Sequence, residues 1–172
     1  MNSNLEEIKQ KVKNAINQLR KNDAYLLEND SSEESISSTL HCYLKKQFDN
    51  FDVDCEYNRR QNGNSKLLNV SRDTNNDESH VIPDIIIHSR NSSDSNFLII
   101  EVKKSNNSNE EIFYDEEKLK EFTSTNIKNN PSTYFGYSYG LAIIFKSERE
   151  SRLDDPIFKW FINGKMVEVE NQ

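Results

Sequence analysis

Two runs rich in β-branched residues, VIPDIIIH (81–88) and NFLIIEVKK (96–104), do most to limit what this chain can fold into. Both are apolar at odd and even positions alike, so neither has a wet face. Strands of that kind must be covered on both sides. The seven residues between them, SRNSSDS, are small or polar, and the pair reads as two central strands joined in a hairpin. Against this background three charged residues stand out: Asp84 in the first run, and Glu101 and Lys103 in the second.

The rest of the chain supplies cover for such strands. Leu5, Ile8, Val12, Ile16 and Leu19 recur at three- and four-residue spacing and predict an amphipathic helix over 4–20. A second helix is expected to begin at a Ser31 or Ser32 cap and to bury Ile36, Leu40, Leu44 and Phe48. FDVDCEYNR alternates as a strand with one wet face. The polar stretch that follows reads as a long loop with a short hairpin around Lys66–Val70. YDEEKLKEFTSTNI predicts a helix capped by Asp115, YGLAIIFKS a buried strand, and IFKWFINGKMVEVE a hairpin turning at Asn163-Gly164.

At 172 residues the chain fits one domain, and no linker divides it. The net charge of −7 argues against a broad coating of nucleic acid or membrane, so any phosphate-binding surface must be local. No apolar run approaches the roughly 18 residues of a membrane span, and the start MNSNLEEIKQ has no signal-peptide core. A soluble, cytoplasmic protein is expected. Cys42 and Cys55 sit in apolar patterns and read as reduced, buried thiols.

In an antiparallel hairpin Asp84 comes near Glu101, and Lys103, two residues on, projects to the same side as Glu101. Two half-buried carboxylates repel each other, and a hard divalent cation such as Mg²⁺ resolves that conflict. A lysine beside the ion can orient water or offset phosphate charge. The triplet Glu-x-Lys also occurs at Glu7/Lys9 and Glu116/Lys118, but only Glu101/Lys103 lies on a strand that follows a Pro-Asp strand. His88, four residues from Asp84, reads as a hairpin-end residue. His41, His80 and the cysteines lack zinc spacing, and there is no phosphate loop or dinucleotide fingerprint.

Pro83-Asp84 on one strand and Glu101-Val102-Lys103 on the next resemble the signature of the PD-(D/E)XK nuclease superfamily. The phrases VDCEYNR, PDIIIHSR, LIIEVKKS, EKLKEFT and YGLAIIF resemble small bacterial and phage-type members of it. The resemblance implies an α/β, restriction-endonuclease-like core over about 31–146. That core is a mixed central sheet flanked by helices in the order α-β-β-β-α-β, here with an extra N-terminal helix and a C-terminal hairpin at 157–169. It implies Mg²⁺, or Mn²⁺, held by Asp84, Glu101 and the Val102 carbonyl, with Lys103 assisting the attacking water. The implied activity is phosphodiester hydrolysis, in DNA by analogy.

A further glutamate on the helix before the first core strand is common in that superfamily. Glu33, three and seven residues before Ile36 and Leu40, shares the buried face, whereas Glu34 points away. Glu56 reads as a support of the metal site or a partner of Arg59, the pairing being favoured, and Lys118 as a solvated helix lysine in preference to a phosphate contact. Arg59/Arg60, Lys103/Lys104 and Lys45/Lys46 offer local basic clusters for a nucleic-acid backbone. A catalytically silent module of the same fold, binding nucleic acid or protein, is the alternative. So is a structural acidic cluster with no metal.

Overall fold

The computed structural model describes residues 2–55, 67–68, 79–80, 82–90, 96–125 and 135–171, with backbone alone for 2–3, 67–68 and 79–80. Three helices, α1 (Asn2–Glu28), α2 (Glu33–Gln47) and α3 (Asn109–Thr123), surround a six-stranded mixed sheet. The strands are β1 (Asp52–Cys55), β4 (Ile85–His88), β5 (Asn96–Lys104), β6 (Tyr139–Phe145), β7 (Ile157–Ile162) and β8 (Lys165–Glu170), hydrogen-bonded in that order. A separate two-stranded ribbon pairs β2 (Leu67–Leu68) with β3 (Ser79–His80). The expected hairpin within 66–70 is therefore corrected: Leu67 and Leu68 find their partners a dozen residues on.

Neighbouring strands are antiparallel except β5 and β6, which run parallel. A parallel pair needs a crossover connection, and α3 supplies it. The two apolar runs behave as their composition demands. Ile85, Ile86 and Ile87 are all fully buried, as are Leu98, Ile99 and Ile100. Leu98, Ile100 and Val102 of β5 and Ile85 and Ile87 of β4 pack under α1 and α2, joined by Ile8, Val12, Leu40 and Leu44. Ile86, Ile99 and Ala142 face the other way and pack under Leu119 and Phe122 of α3.

Two helix boundaries differ from expectation. α1 continues past residue 20 to Glu28, with non-helical torsions at Asp23 (φ −131, ψ 32). Asp23 accepts the hydroxyl proton of Tyr43, and beyond the kink Leu27 is buried in the core under α1 and α2. α3 starts at Asn109 because Ser108 and Glu111 form a reciprocal capping box. Asp115 is thus no cap but an interior, buried helix residue. Ser32 caps α2 as expected, its side chain accepting from the Ser35 N–H.

The C-terminal hairpin turns at Asn163 (φ 53) and Gly164 (φ 73), the pair of positive torsions a type I′ turn requires. It is tied to α1: Lys9 reaches Glu168 at 2.7 Å and Lys13 reaches Glu170 at 2.7 Å. β8 forms one edge of the sheet and leaves Met166, Val167 and Val169 exposed. The two cysteines depart from expectation, since Cys42 is exposed and Cys55 half-buried. Among the described residues no helix is long and apolar enough to cross a membrane.

Candidate active site at the end of the central strands

Asp84 lies just ahead of β4, and its Oδ2 accepts the Val102 N–H at 2.7 Å. The pairing of Ile85 with Ile100 places Pro83 opposite Val102 when the register is continued. Proline has no N–H, so position 83 cannot supply the main-chain donor that the Val102 carbonyl would meet in a continuous ladder. The Asp84 carboxylate satisfies the Val102 N–H in place of main chain, and the carbonyl on the same side of that residue is left facing Asp84. This is a physical reason for a Pro-Asp pair at the head of such a strand.

Glu101 and Lys103 leave β5 on the side covered by α3. Two members of α3 meet them there. Lys118 Nζ lies 3.0 Å from Glu101 Oε1 and 2.6 Å from Asp115 Oδ1, and Lys103 Nζ lies 3.1 Å from Asp115 Oδ2. From the opposite layer Glu33, in the first turn of α2, reaches round the end of β5. Its Oε2 is 3.0 Å from Lys103 Nζ, and its Oε1 accepts the Lys104 N–H at 3.0 Å. Glu33 turns inward and Glu34 is exposed, as the helix face requires. Asp84, Glu101, Lys103 and Glu33 are thus brought together.

Asp115 and Lys118 complete the cluster, and the expectation of a solvated Lys118 is overturned: it is 6% exposed, and Asp115 and Glu101 are each 2% exposed. Both were within reach of sequence reasoning. Once Ser108-x-x-Glu111 is read as the helix start, Asp115, Lys118, Leu119 and Phe122 fall at i, i+3, i+4 and i+7 on one face. Leu119 and Phe122 mark that face as the buried one.

Four carboxyl groups here share two ammonium groups, a formal excess of two negative charges if all are ionised. The strain of that excess falls on Glu101. Burial pushes its carboxyl up to about 8, opposed by Lys118 and reinforced by Asp84 and Asp115. Asp84 is also raised by burial, although the Val102 N–H works against it. Burial disfavours the charged form of both lysines, but the surrounding carboxylates outweigh it and hold them firmly protonated.

Two buried oxygens, Oε1 of Glu101 and Oδ2 of Asp115, have no hydrogen-bond partner even though an ammonium stands within 3.0 and 3.1 Å. Each of these oxygens meets its ammonium as an ion pair. The lysines are interleaved with the carboxyls, and among the described residues no group of three His, Cys, Asp or Glu side chains converges to hold a metal ion. Asp84, Glu101 and the Val102 carbonyl nevertheless offer the hard oxygen donors that Mg²⁺ takes, and Mg²⁺ needs only one or two carboxylates beside its waters. The unpartnered Oε1 of Glu101 fits such a role.

The remaining candidates lie elsewhere. His88 is at the far end of β4 from Asp84, buried, with Nε2 2.8 Å from Asp54 Oδ2. It stands at the hairpin end of β4, as expected, and its partner Asp54 also takes the Arg90 guanidinium. His41 contacts the Val53 carbonyl at 2.8 Å. Lys45 and Lys46 belong to the last turn of α2, twelve residues or more from Glu33 and about 18 Å of helical rise away. They are remote from the cluster, and Lys46 lies over the Tyr43 ring. The Lys104 ammonium is engaged by Asp30 at 2.6 Å. Glu56, Arg59 and Arg60 fall outside the described residues.

No family model, no curated protein and no solved structure matches this chain. Function must be argued from the cluster itself.

Proposed function

We propose that the chain is a Mg²⁺-dependent nuclease of the PD-(D/E)XK kind, with a restriction-endonuclease-like core, that hydrolyses phosphodiester bonds in DNA. The observation that carries this reading is the convergence of Asp84, Glu101, Lys103 and Glu33 at one end of the central strands, with more carboxylates than lysines. The order α2, β1, β4, β5, α3, β6 around a sheet with one parallel pair is in keeping with that core.

Asp84, Glu101 and the Val102 carbonyl would hold the ion. When bound, Mg²⁺ supplies charge to offset the phosphate and acidity to activate water. Lys103 is positioned by Glu33 and Asp115 so that its ammonium stays charged and fixed, ready to orient water or to meet charge developing on phosphorus oxygens. Glu33 and Lys103 are half-buried, whereas Glu101 and Asp115 are enclosed, so substrate would approach from the Glu33–Lys103 side. With a chain charge of −7, DNA affinity would rest on few phosphate contacts, and its salt dependence would be correspondingly shallow.

A catalytically silent module of the same fold is the second reading. It is favoured by one observation: both lysines are already engaged by carboxylates. Incubating the protein with plasmid, single-stranded DNA and RNA in Mg²⁺, Mn²⁺ or EDTA separates the two. Metal-dependent cleavage lost in Asp84→Ala is expected. Absence of cleavage on every substrate, with binding retained, would favour the silent module.

A further inference from the structure

Lys118 sits where a cation is wanted. Its ammonium touches both buried carboxylates of the cluster, 3.0 Å from Glu101 and 2.6 Å from Asp115. The Glu101 contact is the longer of the two, and Glu101 Oε1 is a buried oxygen held to the lysine as an ion pair. The Tyr114 ring, with its centroid 5.5 Å from the same ammonium, offers a further cation–π contact. Lys118 can therefore leave Glu101 while keeping Asp115.

We infer that Lys118 is a built-in competitor for the divalent cation: its ammonium neutralises Glu101 when no metal is bound, and withdraws toward Asp115 and Tyr114 when Glu101 takes the ion. This rests on the metal site of the proposed function and adds a residue that sets its affinity. The charge balance agrees. With both lysines in place and every carboxyl ionised, the cluster carries a formal excess of two negative charges, which one divalent ion cancels. Without Lys118 the excess is three, and among the described residues no other ammonium is paired with Glu101. The lysine thus weakens metal binding while keeping the metal-free protein from burying bare carboxylates.

The test is metal affinity, read without any turnover. Mg²⁺ and Mn²⁺ alone are titrated calorimetrically into wild type, Lys118→Met and Lys118→Arg, with melting temperatures recorded in EDTA and in each metal. Lys118→Met should bind at least about tenfold more tightly, because a repelling charge near the ion is gone. It should also melt lower than wild type in EDTA and gain more on adding metal. Lys118→Arg, which keeps the charge, should bind like wild type. Equal or weaker affinity in Lys118→Met overturns the competitor role while leaving the metal site standing, as does tightening in Lys118→Arg to the same degree. Failure of all three proteins to bind either metal overturns the site itself and the proposed function with it.

Discussion

In EDTA, the folded protein should lose stability as pH rises from about 5 to 9, and Glu101 should account for most of the loss. The folded carboxyl is pushed up to about 8 from an ordinary 4.5, chiefly by burial. A carboxyl with a raised folded value binds its proton more tightly in the native than in the unfolded chain. Its contribution is complete below 4.5 and lost as pH climbs through 8. At about 1.4 kcal/mol per pH unit the gap sets a ceiling on the order of 5 kcal/mol. The realised loss should be smaller, because Asp84, Asp115 and Lys118 interact with the same proton.

Asp84, raised by burial, acts in the same direction. Asp54 and Glu170 do not confuse this window. Burial would raise both, but Arg90 and His88 outweigh it at Asp54, and Lys13 and Lys9 at Glu170, so each is held below its usual range. Their contributions disappear only at more acid pH. The assay is urea unfolding in EDTA at each pH unit, on wild type and Glu101→Gln, a neutral isostere of the protonated acid. The wild-type midpoint should fall and the variant's slope should be much shallower, making Glu101→Gln the more stable protein at pH 9 by a few kcal/mol, within the ceiling above. A wild-type midpoint that holds level or rises refutes the reasoning. Equal slopes in the two proteins would move the titrating group elsewhere.

Lys103→Ala should bind Mg²⁺ yet cleave DNA roughly 10²–10³ times more slowly, and equal cleavage rates would remove Lys103 from the chemistry. Gly140→Ala should lower the urea midpoint by the equivalent of about 1–3 kcal/mol. A Cβ there would stand 3.1 Å from Thr123 Cγ2 and 3.2 Å from Phe161 Cβ, and an unchanged midpoint would mean that α3 moves aside freely. Ser108→Ala should cost about 1 kcal/mol by removing the α3 cap, read in the same unfolding experiment.

Much of the fold was legible because its signals are local. The doubly apolar runs announce central strands, Asn163-Gly164 announces its turn, and the spacing from Ile36 to Phe48 chooses Glu33 over Glu34. What escaped reading depended on choosing among local signals or on the third dimension. In sequence Asp115 reads as a cap because an aspartate preceding a charged, periodic stretch is a good cap. Ser108 with Glu111 is a better one, and the difference of about two turns moves Asp115 from the helix end into the helix interior. Lys118 is read as solvated by its chemistry alone. Only the crossover that lays α3 over β5 gives it two carboxylates, and no residue pattern states that distance. The kink at Asp23 has neither proline nor glycine to signal it, since its contact is with Tyr43, twenty residues away.

The buried face of α3 changes character along its length. Before Leu119 its buried residues are Asp115 and Lys118, and from there on they are Leu119, Phe122 and Thr123. The helix is therefore fastened at its start by charges and at its end by hydrocarbon. Local opening draws on the segments with the fewest apolar contacts. The amides near Asn109–Asp115 should exchange with solvent through a partial lifting of the helix, while those near Phe122 wait for the whole protein to unfold. One helix would then show two protection levels, and the lifting end is the wall of the carboxylate cluster. The way in is set by how firmly two lysines are gripped.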